Sequence, residues 1–233
     1  MKKYAIILAG GSGMRAGGDV PKQFQMLDGI PMLWWSVRAF YNEDSDTDIR
    51  LVMNPGFFDL WNIIYRDLPA EDKEIPVTLV CGGRSRLESV KNGIMGIQAE
   101  KDALVAVHDS ARPLVGCELI SEGWRVASEK YAAVPAVPVT DSLRRIGADG
   151  FSEAVARKDY VAVQTPQVFR CDILKSAYEK PLDDDMTDDA SVVEASGVNV
   201  SLFDGSTRNM KVTNPLDMDI AALLMRLSGN EEK

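Results

Sequence analysis

The sequence predicts an α/β fold in which a mainly parallel sheet is covered by helices on both faces. Three observations support this prediction. Short apolar runs, rich in β-branched residues, alternate with longer segments of helical period along most of the 233 residues. A glycine-rich loop, "LAGGSGMRAGG", follows the first apolar run directly. Hydrophobic residues make up 45% and charged residues 26% of the chain, the balance of a globular protein with a large core.

The predicted elements follow one another in a regular order. Strands are predicted, as short apolar runs, at 4–9, 49–53, 77–80, 103–107, 132–138 and 198–203. Helices are predicted, from apolar residues at helical spacing, at 31–41, 57–67, 86–98, 117–130, 171–179, 188–196 and 215–228. Pro31 and Pro215 support two of the helix starts, because proline suits the first turn of a helix.

One region departs from this alternation. Between Pro138 and Phe169 lie two extended pieces, "PVTDSLRRI" and "VAVQTPQVF", which are separated by the turn-like "GADG" and a polar stretch. We expect residues 138–169 to form a β-arm that projects from the main sheet. Because no internal repeat or low-complexity linker is evident, the sequence predicts a single domain over 1–233 that includes this arm.

The charge balance argues against several classes of partner. With 26 basic and 35 acidic residues, the formal net charge is −9, which disfavours a nucleic-acid or anionic membrane surface. The acidic runs at 183–185 and 188–189 are interpreted as a solvated loop.

The cysteine and histidine content limits the chemistry. Three cysteines without a CxxC pair predict no disulfide framework and a reducing compartment, and with His108 as the only histidine no zinc site is predicted. The apolar start is too short for a signal peptide and no stretch reaches the length of a membrane span, so we expect a cytoplasmic protein.

Three interpretations compete for residues 8–24. A glycine-rich surface turn needs no ligand. The stretch "GSGMRA" (11–16) fits a dinucleotide fingerprint, but the next predicted strand ends without an acidic residue to hold a ribose. A nucleoside triphosphate loop would use glycine N–H groups as an anion nest, with Arg15 and Lys22 beside the phosphates. A Walker A loop is excluded, because no Gly-Lys-Ser/Thr follows.

Two further segments end predicted strands, at the edge where α/β sheets bind ligands. "CGGRSRLESV" (81–90) precedes a predicted helix, and a helix-capping turn is the alternative to a ligand loop. "VHDSARP" (107–113) contains Asp109 and Arg112, which either reach a ligand or form an ion pair with each other. His108 is interpreted as a packed residue and not as a catalyst.

Taken in order, these motifs resemble those of the sugar-phosphate and polyol-phosphate nucleotidyltransferases, and most closely the cytidylyltransferase family of the non-mevalonate isoprenoid pathway. The resemblance covers nearly the whole chain. Its motifs are the loop at 9–15, "PKQ" (21–23), "GGRSR" with "SV" (82–90), "HDSARP" (108–113), "TPQ" (165–167), "TD" (187–188) and "KVT" (211–213). The resemblance implies a Rossmann-like nucleotidyltransferase fold whose β-arm is used in homodimerisation.

The resemblance also implies roles for residues of this chain. The implied catalytic residues, which neutralise charge at the α-phosphate, are Arg15, Lys22 and Lys211. The implied nucleotide-binding residues are Ala9, Gly10, Gly11, Gly13, Gly83, Arg84, Ser89 and Asp109. The implied residues for the second substrate are Arg112, Ser142, Arg157, Thr165 and Thr187. Mg²⁺ would be bound mainly through the triphosphate.

Some of these assignments carry alternatives. Thr187 is expected to reach a substrate phosphate bound to the other subunit, and the alternative is that it caps the helix that begins near Asp188. Two residues depart from the family pattern: Ser142 stands where threonine is common, and Ala156 stands where an acid often precedes Arg157.

The implied reaction transfers CMP from CTP to 2-C-methyl-D-erythritol 4-phosphate, which gives 4-diphosphocytidyl-2-C-methyl-D-erythritol and pyrophosphate. A ribitol-5-phosphate cytidylyltransferase is the alternative, since such enzymes share the loop and the Thr-Pro-Gln signature. "PVTDSLRR" and Ala111 favour the methylerythritol acceptor. A non-catalytic nucleotide-binding protein is disfavoured by the two lysines at the expected positions, and an NAD-binding oxidoreductase by the missing ribose acid.

Overall fold

Strands and helices alternate along most of the chain in the computed structural model, which describes residues 1–11, 20–98, 102–183 and 185–231. The strands are Lys3–Leu8 (β1), Met26–Leu27 (β2), Ile30–Pro31 (β3), Asp48–Met53 (β4), Val77–Cys81 (β5), Leu104–Asp109 (β6), Ala132–Pro138 (β7), Arg144–Ile146 (β8), Ser152–Ala154 (β9), Val161–Val163 (β10), Gln167–Arg170 (β11) and Ser201–Asp204 (β12). The helices are Met32–Glu43 (α1), Phe58–Arg66 (α2), Ala70–Lys73 (α3), Arg86–Ile94 (α4), Cys117–Lys130 (α5), Cys171–Glu179 (α6), Asp189–Ala195 (α7) and Pro215–Glu231 (α8).

An eight-stranded sheet forms the centre of the fold. Strands β5, β4, β1 and β6 are neighbours in that order and run parallel. Strand β11 lies beside β6 and is antiparallel to both β6 and β7. Strand β12 runs parallel to β7 on its other side, because Ala133 of β7 pairs with both Val168 of β11 and Ser201 of β12.

Both faces of this sheet are covered, as the alternation of side chains in β1 shows. Ala5 and Ile7 pack into a core that α1, α2 and α5 cover, whereas Tyr4 and Ile6 pack into a second core under α4, α6 and α7. A strand buried on both faces must be apolar at every position, which is why the strand appears in the sequence as an unbroken apolar run. The predicted Rossmann-like α/β fold, with helices on both faces, is confirmed.

The helices of the described residues differ in length from four residues in α3 to 17 in α8. None of them, within the part of the chain described, combines the length and the apolar character that a transmembrane helix requires.

The predicted elements are present, with ends that shift by at most four residues, as in α4, which stops at Ile94. The sequence did not predict the small hairpin of β2 and β3. Its two-residue turn consists of Asp28 and Gly29, both with positive φ (51° and 80°), as a tight hairpin turn requires. Strands of two residues are too short to show a periodic pattern.

The segment predicted as a β-arm, 138–169, is divided between two sheets. Strands β8 and β9 pair only with each other and form a separate hairpin around the "GADG" turn. Strands β10 and β11 instead pair with β7 of the main sheet. The second extended piece therefore belongs to the main sheet, because the apolar side chains of β11 are buried between β6 and β7.

Helix α4 packs close to the sheet at Gly93. A Cβ added there would lie 2.8 Å from Ile6 Cγ2 and 3.2 Å from Val52 Cγ2, inside ordinary contact distance. We predict that Gly93→Ala lowers the free energy of unfolding by about 1–3 kcal/mol, because overpacking outweighs the better helix propensity of alanine. Denaturant unfolding of the parent chain and of the variant measures this free energy, provided that the two proteins have the same m-value.

Lys91→Ala is the matched control, since Lys91 lies on the exposed side of the same helix. It should change the stability by no more than about 0.5 kcal/mol. If Gly93→Ala were as stable as the parent chain, α4 would not be held this close to the sheet.

Candidate active site

Loops that follow the parallel strands β1, β4, β5 and β6 meet at one edge of the sheet and enclose a cavity of about 640 Å³. This is the edge at which open α/β sheets bind ligands. Most of the residues predicted to bind nucleotide or to catalyse line this cavity. They are Ala9, Gly10, Gly11, Lys22, Gly83, Arg84, Ser89, Asp109 and Lys211.

The described start of the glycine loop is held in place by Gln23. Its Nε2 donates to the carbonyl oxygens of Ala9 at 2.9 Å and of Gly11 at 2.7 Å. Gln23 is buried and belongs to the same 3₁₀ turn as Lys22, so the loop and the lysine are positioned together. The predicted residues Gly13 and Arg15 lie outside the described residues.

Two lysines from distant parts of the chain reach the cavity. Lys22 Nζ donates to the carbonyl oxygen of Val212 at 2.6 Å. Lys211, the neighbour of Val212, places its Nζ 2.7 Å from Asp109 Oδ2. The "KVT" segment thus holds one ammonium group through its backbone and supplies the second.

The loop between β5 and α4 is fixed by hydroxyl groups. Ser89 Oγ accepts from the N–H of Gly83 at 3.0 Å and donates to the carbonyl oxygen of Ser85 at 2.8 Å. Ser85 in turn caps α4 by accepting from the N–H of Glu88 at 3.0 Å. The capping turn and the cavity wall are therefore the same structure, and the loop presents its backbone to the cavity in a fixed shape.

Asp109 ends β6 and lies between two cations. Its Oδ2 meets Lys211, and its Oδ1 lies 3.5 Å from Arg86 Nε. Burial opposes the charge of this carboxylate, but the charges of Arg86 and Lys211 outweigh burial and lower the pKa of Asp109 to about 2. Asp109 is therefore ionised at neutral pH. The predicted alternative partner, Arg112, instead donates through Nη1 to the carbonyl oxygen of Asn209 at 2.7 Å.

The interpretation of 188–189 as part of a solvated loop is wrong for Asp189. This residue is fully buried, its Oδ2 pairs with Arg86 Nη2 at 2.6 Å, and its Oδ1 accepts from the Tyr178 hydroxyl at 2.5 Å. The ion pair with Arg86 and the hydrogen bond from Tyr178 together compensate for the desolvation of the Asp189 carboxylate. Neither Arg86 nor Asp189 was singled out from the sequence, although the "GGRSR" motif pointed to the loop that contains Arg86.

A hydrogen-bonded relay lies behind Asp109. The N–H of Asp109 donates to Thr165 Oγ1 at 3.0 Å. His108 Nε2 lies 3.2 Å from the carbonyl oxygen of Arg112, so Nε2 donates, and Nδ1 accepts from the Thr165 hydroxyl at 3.2 Å. His108 is buried, and burial lowers its pKa to about 4. As predicted, His108 is a packed residue, and its neutral ring holds the 109–112 turn.

The residues predicted for the second substrate are dispersed in the single chain. Thr165 is buried in the relay behind Asp109. Arg157 lies on a separate 3₁₀ turn, donates to the carbonyl oxygen of Thr140, and lines a different cavity of about 720 Å³. Ser142 is exposed in the loop after β7.

The alternative that Thr187 caps the helix beginning near Asp188 is excluded. Asp188, and not Thr187, caps α7, because the Asp188 carboxylate accepts from the N–H of Ser191 at 3.0 Å. Thr187 is exposed and stands two residues before Asp189, whose carboxylate is tied to Arg86 at the cavity wall.

Residues 4–227 match the model of the family IspD: 2-C-methyl-D-erythritol 4-phosphate cytidylyltransferase. The chain belongs to this family. The resemblance inferred from the motifs is confirmed, and with it membership of a family of nucleotidyltransferase enzymes.

Individual members of the family match over nearly their full length. The 2-C-methyl-D-erythritol 4-phosphate cytidylyltransferase of Phocaeicola vulgatus is 41% identical over 97% of this chain and 100% of the relative. The enzyme of the same name from Clostridium novyi is 35% identical over 96% of each chain. The crystal structure of the Thermus thermophilus enzyme superposes with a TM-score of 0.74 at 30% identity, covering 97% of this chain and 100% of that one.

The neutral state of His108 gives a prediction for pH. The folded state resists protonation down to about pH 4, whereas the unfolded state takes up the proton near pH 6.5. Stability is therefore present above pH 6.5 and is lost as the pH falls toward 4, by an amount on the order of 3 kcal/mol. Because His108 is the only histidine, the NMR spectrum contains one set of imidazole signals, which should titrate with a midpoint near 4.

His108→Gln is the control, because glutamine can keep one hydrogen bond without titrating in this range. The loss of stability between pH 6.5 and 5 should be smaller in this variant than in the parent. An imidazole midpoint at the ordinary value of 6.5 would contradict the buried relay.

Proposed function

We propose that the protein transfers CMP from CTP to 2-C-methyl-D-erythritol 4-phosphate and releases pyrophosphate. The observation that supports this most directly is the cavity at the carboxyl edge of the sheet, where Lys22 and Lys211 lie beside a glycine loop. Two ammonium groups can neutralise the negative charge of a bound triphosphate. The reaction itself is inferred from the activity that the names of the family and its members give.

The cavity has two parts that suit the two ends of CTP. The loop of Gly83 and Ser89 is rigid and offers backbone groups, which suits recognition of the cytosine by a few hydrogen bonds. The backbone at Gly10 and Gly11 and the two ammonium groups line the same cavity and suit the phosphates.

The reaction requires positioning and charge stabilisation more than proton transfer. The acceptor phosphate is already ionised near pH 7, so one of its oxygens can attack the α-phosphorus of CTP without a strong base. A new P–O bond forms as the bond to the leaving pyrophosphate breaks. Lys22, Lys211 and Arg15 then neutralise the charge that develops on the oxygens of the α-phosphorus.

Mg²⁺ is proposed as the cofactor, held mainly by oxygens of the triphosphate. No group of three or more metal-ligating side chains lies together in the described parts of the chain. Asp109 is the carboxylate among the described residues that line the cavity, but Arg86 and Lys211 already pair with it, so phosphate oxygens and water would supply the ligands, as is common for Mg²⁺. When bound, Mg²⁺ would neutralise charge on the triphosphate.

The acceptor site is proposed to be completed in a homodimer. Apolar side chains of the β8–β9 hairpin are strongly exposed, with Ile146 at 77% and Phe151 at 78%, and β10 leaves one edge unpaired. Such edges and patches are usually covered by a partner. The partner's arm would bring Arg157 and Ser142 to the acceptor phosphate, where Arg112, Thr165 and Thr187 complete the set. We also propose that residues 1–233 form a single nucleotidyltransferase domain and that the protein acts in the cytoplasm.

The proposed activity is tested by pyrophosphate release over a small matrix of substrates. CTP, UTP, ATP and GTP are each combined with 2-C-methyl-D-erythritol 4-phosphate and with ribitol 5-phosphate. We expect release with CTP and the methylerythritol acceptor. Preference for ribitol 5-phosphate would identify the alternative acceptor, and CTP binding without release would indicate a nucleotide-binding protein without catalysis.

Lys22 is predicted to act mainly on the transition state. Lys22→Ala should lower kcat by about 10²–10³-fold with a smaller change in CTP affinity, because the charge at the α-phosphorus grows during the reaction. Steady-state kinetics and calorimetry with CTP measure the two effects. Lys130→Met, an exposed lysine at the end of α5, is the control and should keep normal kinetics. Near-normal turnover of Lys22→Ala would refute the assigned role.

Mixed dimers test which subunit supplies each acceptor residue. A Lys22→Ala chain paired with an Arg157→Gln chain should regain roughly half of the parent activity per dimer, because both lesions fall in one site if Arg157 acts across the interface. A Lys22→Ala chain paired with a Thr187→Val chain should regain none if Thr187 acts in its own subunit, a role that is supported by the pairing of Asp189, two residues further on, with Arg86 of the same chain.

The second mixed dimer also tests the expectation from resemblance that Thr187 acts in the other subunit. Recovery in that dimer would restore this expectation. Absence of recovery in verified heterodimers with Arg157→Gln would exclude a shared acceptor site.

A further inference from the structure

Arg86 bridges two carboxylates at the wall of the cavity. Its Nη2 lies 2.6 Å from Asp189 Oδ2, and its Nε lies 3.5 Å from Asp109 Oδ1. The other oxygen of Asp109 meets Lys211 at 2.7 Å. Positive and negative groups therefore alternate in the order Lys211, Asp109, Arg86 and Asp189, and their charges balance before a nucleotide binds.

Lys211 has two competing partners under the proposed function, on which this inference rests. Its ammonium group is paired with Asp109 in the structure, yet it must stabilise the α-phosphate of CTP during the reaction. If Lys211 moved to the phosphate and no other cation were present, Asp109 would be left as an uncompensated, largely buried charge. Such a charge is strongly unfavourable, so the move would be opposed.

We propose that Arg86 is a positioning residue that keeps Asp109 paired when Lys211 transfers from Asp109 to the α-phosphate of CTP. The guanidinium group presents several N–H donors in a rigid fork, so it pairs with Asp189 while it faces Asp109. Its Nη1 is buried and has no hydrogen-bond partner within the described residues, which leaves a donor for the rearranged network.

Asp189 is what keeps Arg86 in place. Its carboxylate is held by the Tyr178 hydroxyl at 2.5 Å, and its N–H donates to Gln167 Oε1 at 3.1 Å. Gln167 belongs to β11 of the main sheet. Arg86 is thus anchored on the side away from Lys211, and it stays beside Asp109 when the ammonium group moves.

The test is a cycle of variants in which Arg86 is removed with and without Asp109. Arg86→Gln and Asp189→Asn are combined, so that one cation and its buried anion are lost together and the net charge is unchanged. This double change is made in the parent chain and in Asp109→Asn. Calorimetry with CTP and kcat/KM for CTP are measured in all four proteins, with thermal unfolding as a check of folding.

We expect the double change to weaken CTP binding about tenfold or more when Asp109 is present, because Asp109 then lacks Arg86 and holds Lys211 more tightly. In the Asp109→Asn background the same change should cost less than about threefold, since Lys211 no longer has to leave a charge unpaired. The KM for the acceptor should change less than the KM for CTP. A merely structural role of Arg86 would instead disturb Thr187 and raise the acceptor KM.

Equal losses of CTP affinity in the two backgrounds would overturn the inference. If the double variant fails to fold, Arg86→Lys in both backgrounds gives the same comparison, because one ammonium group cannot face both carboxylates. A parent chain that binds CTP but releases no pyrophosphate would refute the proposed function, while the binding cycle would still decide the role of Arg86.

Discussion

The carboxylate of Asp109, held between Lys211 and Arg86, is the interaction on which the rest of the site depends. It joins the end of β6 to α4 and to the segment before α8, which are far apart in the chain. Its backbone N–H joins the same point to Thr165 between β10 and β11. Arg86 and Lys211 both line the cavity. A buried charge satisfied by several distant segments fixes their relative positions far better than apolar contacts alone.

The fold places this carboxylate at the edge of the sheet where open α/β folds bind ligands. Four parallel strands end at one edge, and the loops that follow them supply the backbone of Gly10 and Gly11, the loop of Gly83 and Ser89, and Asp109. Covalent chemistry by the protein is not required for phosphate attack on an α-phosphorus. Cations held at fixed distances are required instead. The hydrogen bonds that join Asp109, Thr165 and His108 hold the end of β6 rigidly, and the imidazole in this network is neutral.

The sequence allowed most of the fold to be predicted, together with nine of the residues that line the cavity, for identifiable reasons. Strands buried on both faces leave unbroken apolar runs, and glycine loops after strands mark a ligand edge. The pairing of β11 with β6 and β7 could not be predicted, because it depends on non-local contacts and "VAVQTPQVF" shows only that it is extended. Asp189 was assigned to a solvated loop because no pattern in a run of acids shows which of them meets Arg86 and Tyr178.

A crystal structure with bound CTP and Mg²⁺ tests this account most directly, through the distance between Lys211 Nζ and Asp109 Oδ2. We predict that the cytosine lies at the Gly83–Ser89 loop and the α-phosphate between Lys22 and Lys211. The distance should increase from 2.7 Å to beyond about 4 Å, where an ion pair is no longer formed, while Arg86 stays beside Asp109. A triphosphate bound away from the two lysines, or a Lys211 that stays on Asp109 with CTP in place, would contradict it.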